Sequence, residues 1–158
     1  MNKKIFIFPI IAILLLVSLL IPRITIYKGA EEKAFFSRFI FPGQRFVFKY
    51  HHSVEKTPVH EIYNVAWNGT IIMDKTKFQS YGAGLPLQTK NFSEQGNYFV
   101  IADMNIKLPE VIIRISKTPN QTVTVVNKRI VLNDVGKVGE KITIRVKPLY
   151  KKILFNNK

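Results

Sequence analysis

The sequence predicts an all-β fold, a small antiparallel β-sandwich or barrel, preceded by one N-terminal transmembrane helix. Three observations carry this: a continuous apolar stretch near the start, apolar and polar residues alternating with period two almost everywhere after it, and turn residues recurring about every ten positions. The chain has 158 residues, 47% of them hydrophobic and 22% charged, which suits one ordinary folded domain. Residues 1–22 read as the anchor, 23–150 as the β domain and 151–158 as a basic tail.

Lys3 and Lys4 open the anchor, and the apolar stretch runs from Ile5 to Ile21, interrupted only by Pro9 and Ser18 and closed by Pro22 and Arg23. Its seventeen residues lie at the short edge of the ~17–25 that span a bilayer and exceed the ~7–15 of most cleavable signal cores. No small-x-small cleavage motif follows it, so an uncleaved signal anchor is expected in preference to a removed signal peptide or a buried core helix. Arg23, Lys28, Lys33 and Arg38 compete with the N-terminal lysines in setting orientation. A short basic segment before such a core stays in the cytoplasm, which places the β domain on the extracytoplasmic side of the cell membrane.

Within the domain, Arg45 to Tyr50 sets Phe46, Phe48 and Tyr50 on one face, Glu110 to Ser116 does the same with Val111, Ile113 and Ile115, and Lys141 to Lys147 with Ile142, Ile144 and Val146. Each reads as a half-buried strand. Asn68-Gly69 is a preferred type I′ hairpin pair. It puts Trp67 opposite Thr70, Val65 opposite Ile72 and Glu61 opposite Thr76, making a face that is apolar except for Glu61 and Asp74. A second turn at Asn127-Lys128 pairs Val125 with Ile130 and Val123 with Leu132.

The absence of cysteine excludes a disulfide framework, a thiolate metal site and a cysteine nucleophile. With 24 Lys and Arg against 10 Asp and Glu, the net charge of +14 points to an anionic partner, a lipid headgroup, nucleic acid or an anionic small molecule, among which composition alone does not choose. Phe46 and Phe48 alternate with Arg45 and Lys49, but an exported chain rarely meets nucleic acid, which is not expected as a partner. The basic C-terminal stretch from Lys141 reads as one strand with a solvated face and a frayed end, with membrane-surface contact as the second reading.

All three histidines fall between Tyr50 and Glu61. Ser53 and His52 are neighbours whose side chains would diverge in an extended strand, and no Gly-x-Ser-x-Gly elbow is present, which argues against a serine hydrolase. His51, His52, His60 and Glu61 could ligate a metal, yet none of the usual spacings occurs, and neither a metal nor another cofactor is expected. The remaining reading is a latch or ligand site: a reversal through Ser53 to Pro58 returns His52 towards Glu61, whose burial an imidazole hydrogen bond would offset. Further along, Gly82-Ala83-Gly84-Leu85-Pro86 allows close backbone approach and an anion-binding nest, or simply a tight bend at a sheet corner. Asn68, Asn91 and Asn120 each begin a glycosylation acceptor triplet.

His52-Ser53-Val54-Glu55-Lys56-Thr57-Pro58-Val59-x-Glu61, then Phe78-Gln79-Ser80-Tyr81-Gly82-Ala83-Gly84-Leu85-Pro86, and the closing run from Arg129 to Arg145 together resemble the bacterial and archaeal domain of unknown function 1850. The resemblance covers most of the chain after the apolar stretch. It implies a place beside TAXI-type TRAP transporters, which import small, frequently carboxylate-bearing solutes with an extracytoplasmic binding protein. It also implies that the site residues are His52, Ser53, Glu61, Gly82, Gly84 and Pro86. The expected protein is therefore a membrane-anchored, non-enzymatic accessory or binding protein with TRAP subunits as partners. The alternative is a hydrolase or metal-dependent enzyme using His52 and Glu61.

Overall fold

The computed structural model describes residues 7–80, 91–118, 120–148 and 150. Its first element is helix α1 (Ile7–Leu20), fourteen residues with neither an acidic first turn nor a basic last turn. The helix has no polar face to turn towards water, and Phe8, Ile10, Ile13 and Val17 are all exposed. Fourteen residues rise about 21 Å, short of the ~30 Å hydrocarbon core. Among the described residues no helix is long and apolar enough to cross a membrane.

Only Ile21 separates α1 from strand β1 (Pro22–Lys28). There follow β2 (Lys33–Phe39), β3 (Arg45–His51), β4 (Pro58–Val65), β5 (Ile71–Phe78), β6 (Phe92–Gln95), β7 (Tyr98–Ile101), β8 (Ile106–Leu108), β9 (Val111–Arg114), β10 (Thr122–Val125) and β11 (Lys128–Val131). A short helix α2 (Leu132–Val135) and the long strand β12 (Lys141–Pro148) close the order. A four-stranded sheet runs β2-β1-β12-β9. An eight-stranded one runs β11-β10-β3-β4-β5-β7-β6, with β8 also on β5. Every pairing is antiparallel.

The two sheets share one core. Ile24, Ile26, Ile113, Ile142 and Ile144 of the smaller sheet meet Phe46, Tyr63, Val65, Ile71, Val123 and Val125 of the larger. At about 2 kcal/mol for each fully buried aliphatic side chain, this interface dominates the stability of the fold. Phe46 and Tyr63 stack at 4.8 Å across β3 and β4. The alternating runs expected from sequence bury as expected: Phe46 and Phe48 on β3, Val111 and Ile113 on β9 with Ile115 just beyond, and Ile142, Ile144 and Val146 on β12. A smaller cluster of Val59, Phe78 and Ile101 continues the core along β4 and β5, edged by Tyr50, Phe92, Phe99 and Met104.

The first hairpin keeps its expected register at one end only. Glu61 faces Thr76 as predicted, but Val65 faces Ile71 and not Ile72, because the register shifts between Ile62 and Tyr63 and leaves Asp74 as the extra residue on β5. The cause is the turn. Asn68 does not take positive φ, so no type I′ turn forms; the Ala66 N–H bonds the Thr70 carbonyl around a three-residue loop in which only Gly69 is left-handed (φ +84°). Trp67 consequently sits in the loop, exposed, and not on the apolar face opposite Thr70. Gly69 is required twice over, since a Cβ there would lie 2.6 Å from the Val146 carbonyl oxygen of the other sheet.

The second hairpin also differs from expectation. Val125 faces Lys128 and Val123 faces Ile130, so the turn is Val126-Asn127, with Val126 at φ +53°. A displacement by two residues preserves the faces, and Val123, Val125 and Ile130 are buried all the same.

The sandwich has two distinct ends. At the α1 end, the Ile40 N–H bonds the Pro22 carbonyl, the Gly43 N–H bonds the Val65 carbonyl, and the Gly69 turn abuts Val146. At the far end lie the β3–β4 loop and Ser80, which follows β5. Seven- and eight-residue strands at ~3.3 Å per residue separate the ends by about 20 Å.

Candidate functional site

Strands β3 and β4 close with His51 opposite Pro58, and the loop between them is held by its own backbone. The His52 N–H donates to the Thr57 carbonyl (2.8 Å) and the Lys56 N–H to the His52 carbonyl (3.1 Å), with Lys56 left-handed at φ +54°. The His52 ring caps this loop: its Nδ1 accepts the Glu55 N–H at 3.2 Å. With Nδ1 accepting, Nε2 is the ring position left to meet a partner. Lys56 Nζ donates to the Ser53 carbonyl, and the Ser53 side chain is exposed.

The loop is tied to the second motif through Glu55. Ser80 Oγ donates to Glu55 Oε2 at 2.9 Å, joining the β3–β4 tip to the end of β5. Residues 25 positions apart therefore form one surface at the end of the sandwich remote from α1.

Glu61 lies deeper, facing Phe48 across one side of β4 and Thr76 across the other. Both of its oxygens accept from tyrosines: Oε2 from Tyr63 Oη at 2.6 Å and Oε1 from Tyr50 Oη at 3.2 Å. The site thus bridges the two apolar clusters, with Tyr63 in the larger and Tyr50 touching both. Burial, and after it the negative charge of Glu61, pushes both tyrosine hydroxyls well above their ordinary range. They stay protonated and keep donating, which is how a half-buried carboxylate is accommodated beside aromatic rings.

The hydrogen bond expected between His52 and Glu61 is not formed among the described residues. Glu61 is three positions into β4 from Pro58, about 10 Å along the strand, and each of its oxygens is engaged by a tyrosine hydroxyl, from Tyr50 or Tyr63. Of the residues expected at the site, the structure puts His52 and Ser53 in one loop and Glu61 in the adjoining sheet. Gly82, Gly84 and Pro86 lie outside the described residues. Tyr63 was within reach of sequence reasoning, being two residues from Glu61 on the same face, whereas Tyr50 and the Glu55–Ser80 bond depend on the β3–β4 register and the path of β5.

His60 points to the opposite face of the larger sheet, with Lys49 and Lys77 directly across from it and the Tyr98 ring 5.5 Å away. Burial, then the two ammonium groups, holds its imidazole below the usual range. Among the described residues no three His, Cys, Asp or Glu side chains cluster closely enough to hold a metal ion. The arrangement at the tip can present an imidazole N–H and a serine hydroxyl to a hydrogen-bonding partner, backed by a rigid carboxylate–tyrosine core.

A family model described as a domain of unknown function (DUF1850) matches residues 46–132. That span begins in β3 and ends at the first residue of α2, so it contains the hairpin tip, Glu61 with both tyrosines, and Ser80. No curated protein and no solved structure matches the chain.

Proposed function

The chain belongs to the DUF1850 family, and from that premise we propose that it is a membrane-tethered, extracytoplasmic accessory protein that works without catalysis beside a TAXI-type TRAP solute uptake system. The observation that carries this reading is the placement of the two ends. Helix α1, apolar on all sides with exposed side chains, enters the sandwich through a single residue, while the loop of His52 to Thr57 and Ser80 stands at the far end. A domain tethered by Ile5 to Ile21 would hold its hydrogen-bonding tip away from the lipid, where a solute-binding protein or an anionic solute could meet it. The family resemblance supports the transporter as partner, and the engagement of both Glu61 oxygens by protonated tyrosines inside the sheet favours a binding scaffold over acid–base chemistry.

Affinity capture of the full chain from native membranes, followed by mass spectrometry, tests this reading. TRAP subunits should be recovered with the unaltered protein and lost with His52→Ala at equal abundance. A chain recovered from the soluble fraction without transporter subunits would overturn it.

A further inference from the structure

The end of the sandwich that receives α1 carries a second feature that neither the hairpin tip nor the core requires. Phe39 at the end of β2, Phe41 in the following loop and Trp67 in the β4–β5 turn are 44%, 50% and 70% exposed. They come from three separate segments, yet the Ile40–Pro22, Gly43–Val65 and Gly69–Val146 contacts gather them on one rim around the point where α1 ends. Nothing in the core explains large aromatic rings left in the open, and an exposed apolar patch of this kind marks a contact surface.

Cations accompany them. Arg23 is paired with Phe39 on one side and Lys147 on the other, its guanidinium 5.1 Å from the centre of the Phe39 ring. Lys147, exposed on the far side of Arg23, shares that face, whereas Arg38, paired with the buried Ile24, lies on the other. Among the described residues Arg23 and Lys147 have no carboxylate partner, whereas Arg145, Lys141 and Arg45 elsewhere on the sheets are paired with Glu32, Glu110 or Asp74. An amphipathic indole with apolar phenylalanine rings beside it, accompanied by unpaired cations, is the chemistry of the interface between hydrocarbon and headgroups.

We propose that this rim, formed by Phe39, Phe41, Trp67, Arg23 and Lys147, is an interfacial belt that seats the β domain on an anionic lipid surface. The proposal rests on the tethered reading above and sharpens it. With one residue between α1 and β1, Arg23 of the rim follows directly where an anchored helix would leave the bilayer, and the +14 chain meets negative headgroups there. Seating the domain fixes its tilt and directs the His52 loop outward.

Trp67 is the only tryptophan, so its fluorescence reports on the rim without any substitution. The full chain is reconstituted in vesicles of phosphatidylcholine with phosphatidylglycerol, with and without brominated acyl chains, and floated on a density gradient. Trp67 emission should be blue-shifted and fall by about half with brominated lipid, as for an indole at headgroup level. The double variant Val54→Trp, Trp67→Phe moves the reporter to the far tip, where Val54 is 74% exposed, and should be neither shifted nor quenched. Lys147→Glu should reduce quenching by about twofold in phosphatidylglycerol vesicles and leave it unchanged in pure phosphatidylcholine. A chain that fails to float overturns the tether and the belt together. A chain that floats with Trp67 unquenched overturns the belt alone and leaves the rim to a protein partner, and quenching insensitive to the charge reversal overturns the anionic-lipid part.

Discussion

The two ends of the sandwich are closed by opposite means. At the α1 end the connections are jammed together: the Gly69 turn abuts Val146, loop amides bond β1 and β4, and the residues that protrude are aromatic or cationic. At the far end the β3–β4 loop is held by a few polar contacts of its own, the His52 cap and the Glu55–Ser80 bond, with side chains in water. Close packing makes the first end intolerant of change, and surface hydrogen bonds make the second tolerant. Substitutions of the closely packed backbone positions at the first end should therefore affect folding, whereas substitutions at the second should affect recognition.

The largest effect is expected from Gly69→Ala. A positive φ combined with a Cβ 2.6 Å from a backbone oxygen that cannot swing aside should cost about 3 kcal/mol, read from denaturant midpoints. A loss under about 1 kcal/mol would show that the turn can lift off β12 and that this end is not jammed.

Between the ends, Glu61→Leu strands two tyrosine hydroxyls and should cost about 2 kcal/mol, while Glu61→Gln, which keeps an acceptor oxygen for one of them, should recover part of it. Equal losses for both would mean that the negative charge, and not the hydrogen bonds, is what Tyr50 and Tyr63 require.

The same triad predicts an alkaline limit. Both hydroxyls ionise less readily in the folded protein than in the unfolded chain, where tyrosine titrates near ~10. Their contribution is then complete below pH ~10 and is lost as pH rises from there towards the folded values, because the unfolded state releases its protons first. Tyr63→Phe should flatten this decline in equilibrium unfolding measured across alkaline pH, and an unchanged slope would break the assignment.

The smallest stability effects belong to the far end. Ser80→Ala removes one exposed hydrogen bond and should change stability by no more than about 0.5 kcal/mol, yet lower recovery of partners in membrane capture. If it destabilises as much as Glu61→Leu, the far end is structural after all and the contrast between the ends fails.

Much of this was legible in the residues themselves. Alternation determined which side chains of β3, β9 and β12 face the core, because side-chain direction in a strand follows from residue parity alone. It also put Glu61 among apolar neighbours opposite Thr76 and marked a turn at Asn68-Gly69. The apolar, uncharged character of Ile7 to Leu20 needed no coordinates either. Only the tertiary structure decided the rest. The bulge at Asp74 depends on a three-residue loop that the Asn-Gly pair does not announce, and Gly69 is drawn into that loop by contact with a strand nearly eighty residues later. The partners of Glu61 were settled when β3 and β4 aligned Tyr50 beside it and left His52 beyond its reach. The rim of Phe39, Phe41 and Trp67 exists only because distant segments end at the same edge of two stacked sheets. Parity is a local property of the chain, whereas register and the meeting of ends are set by packing between segments that do not adjoin in sequence.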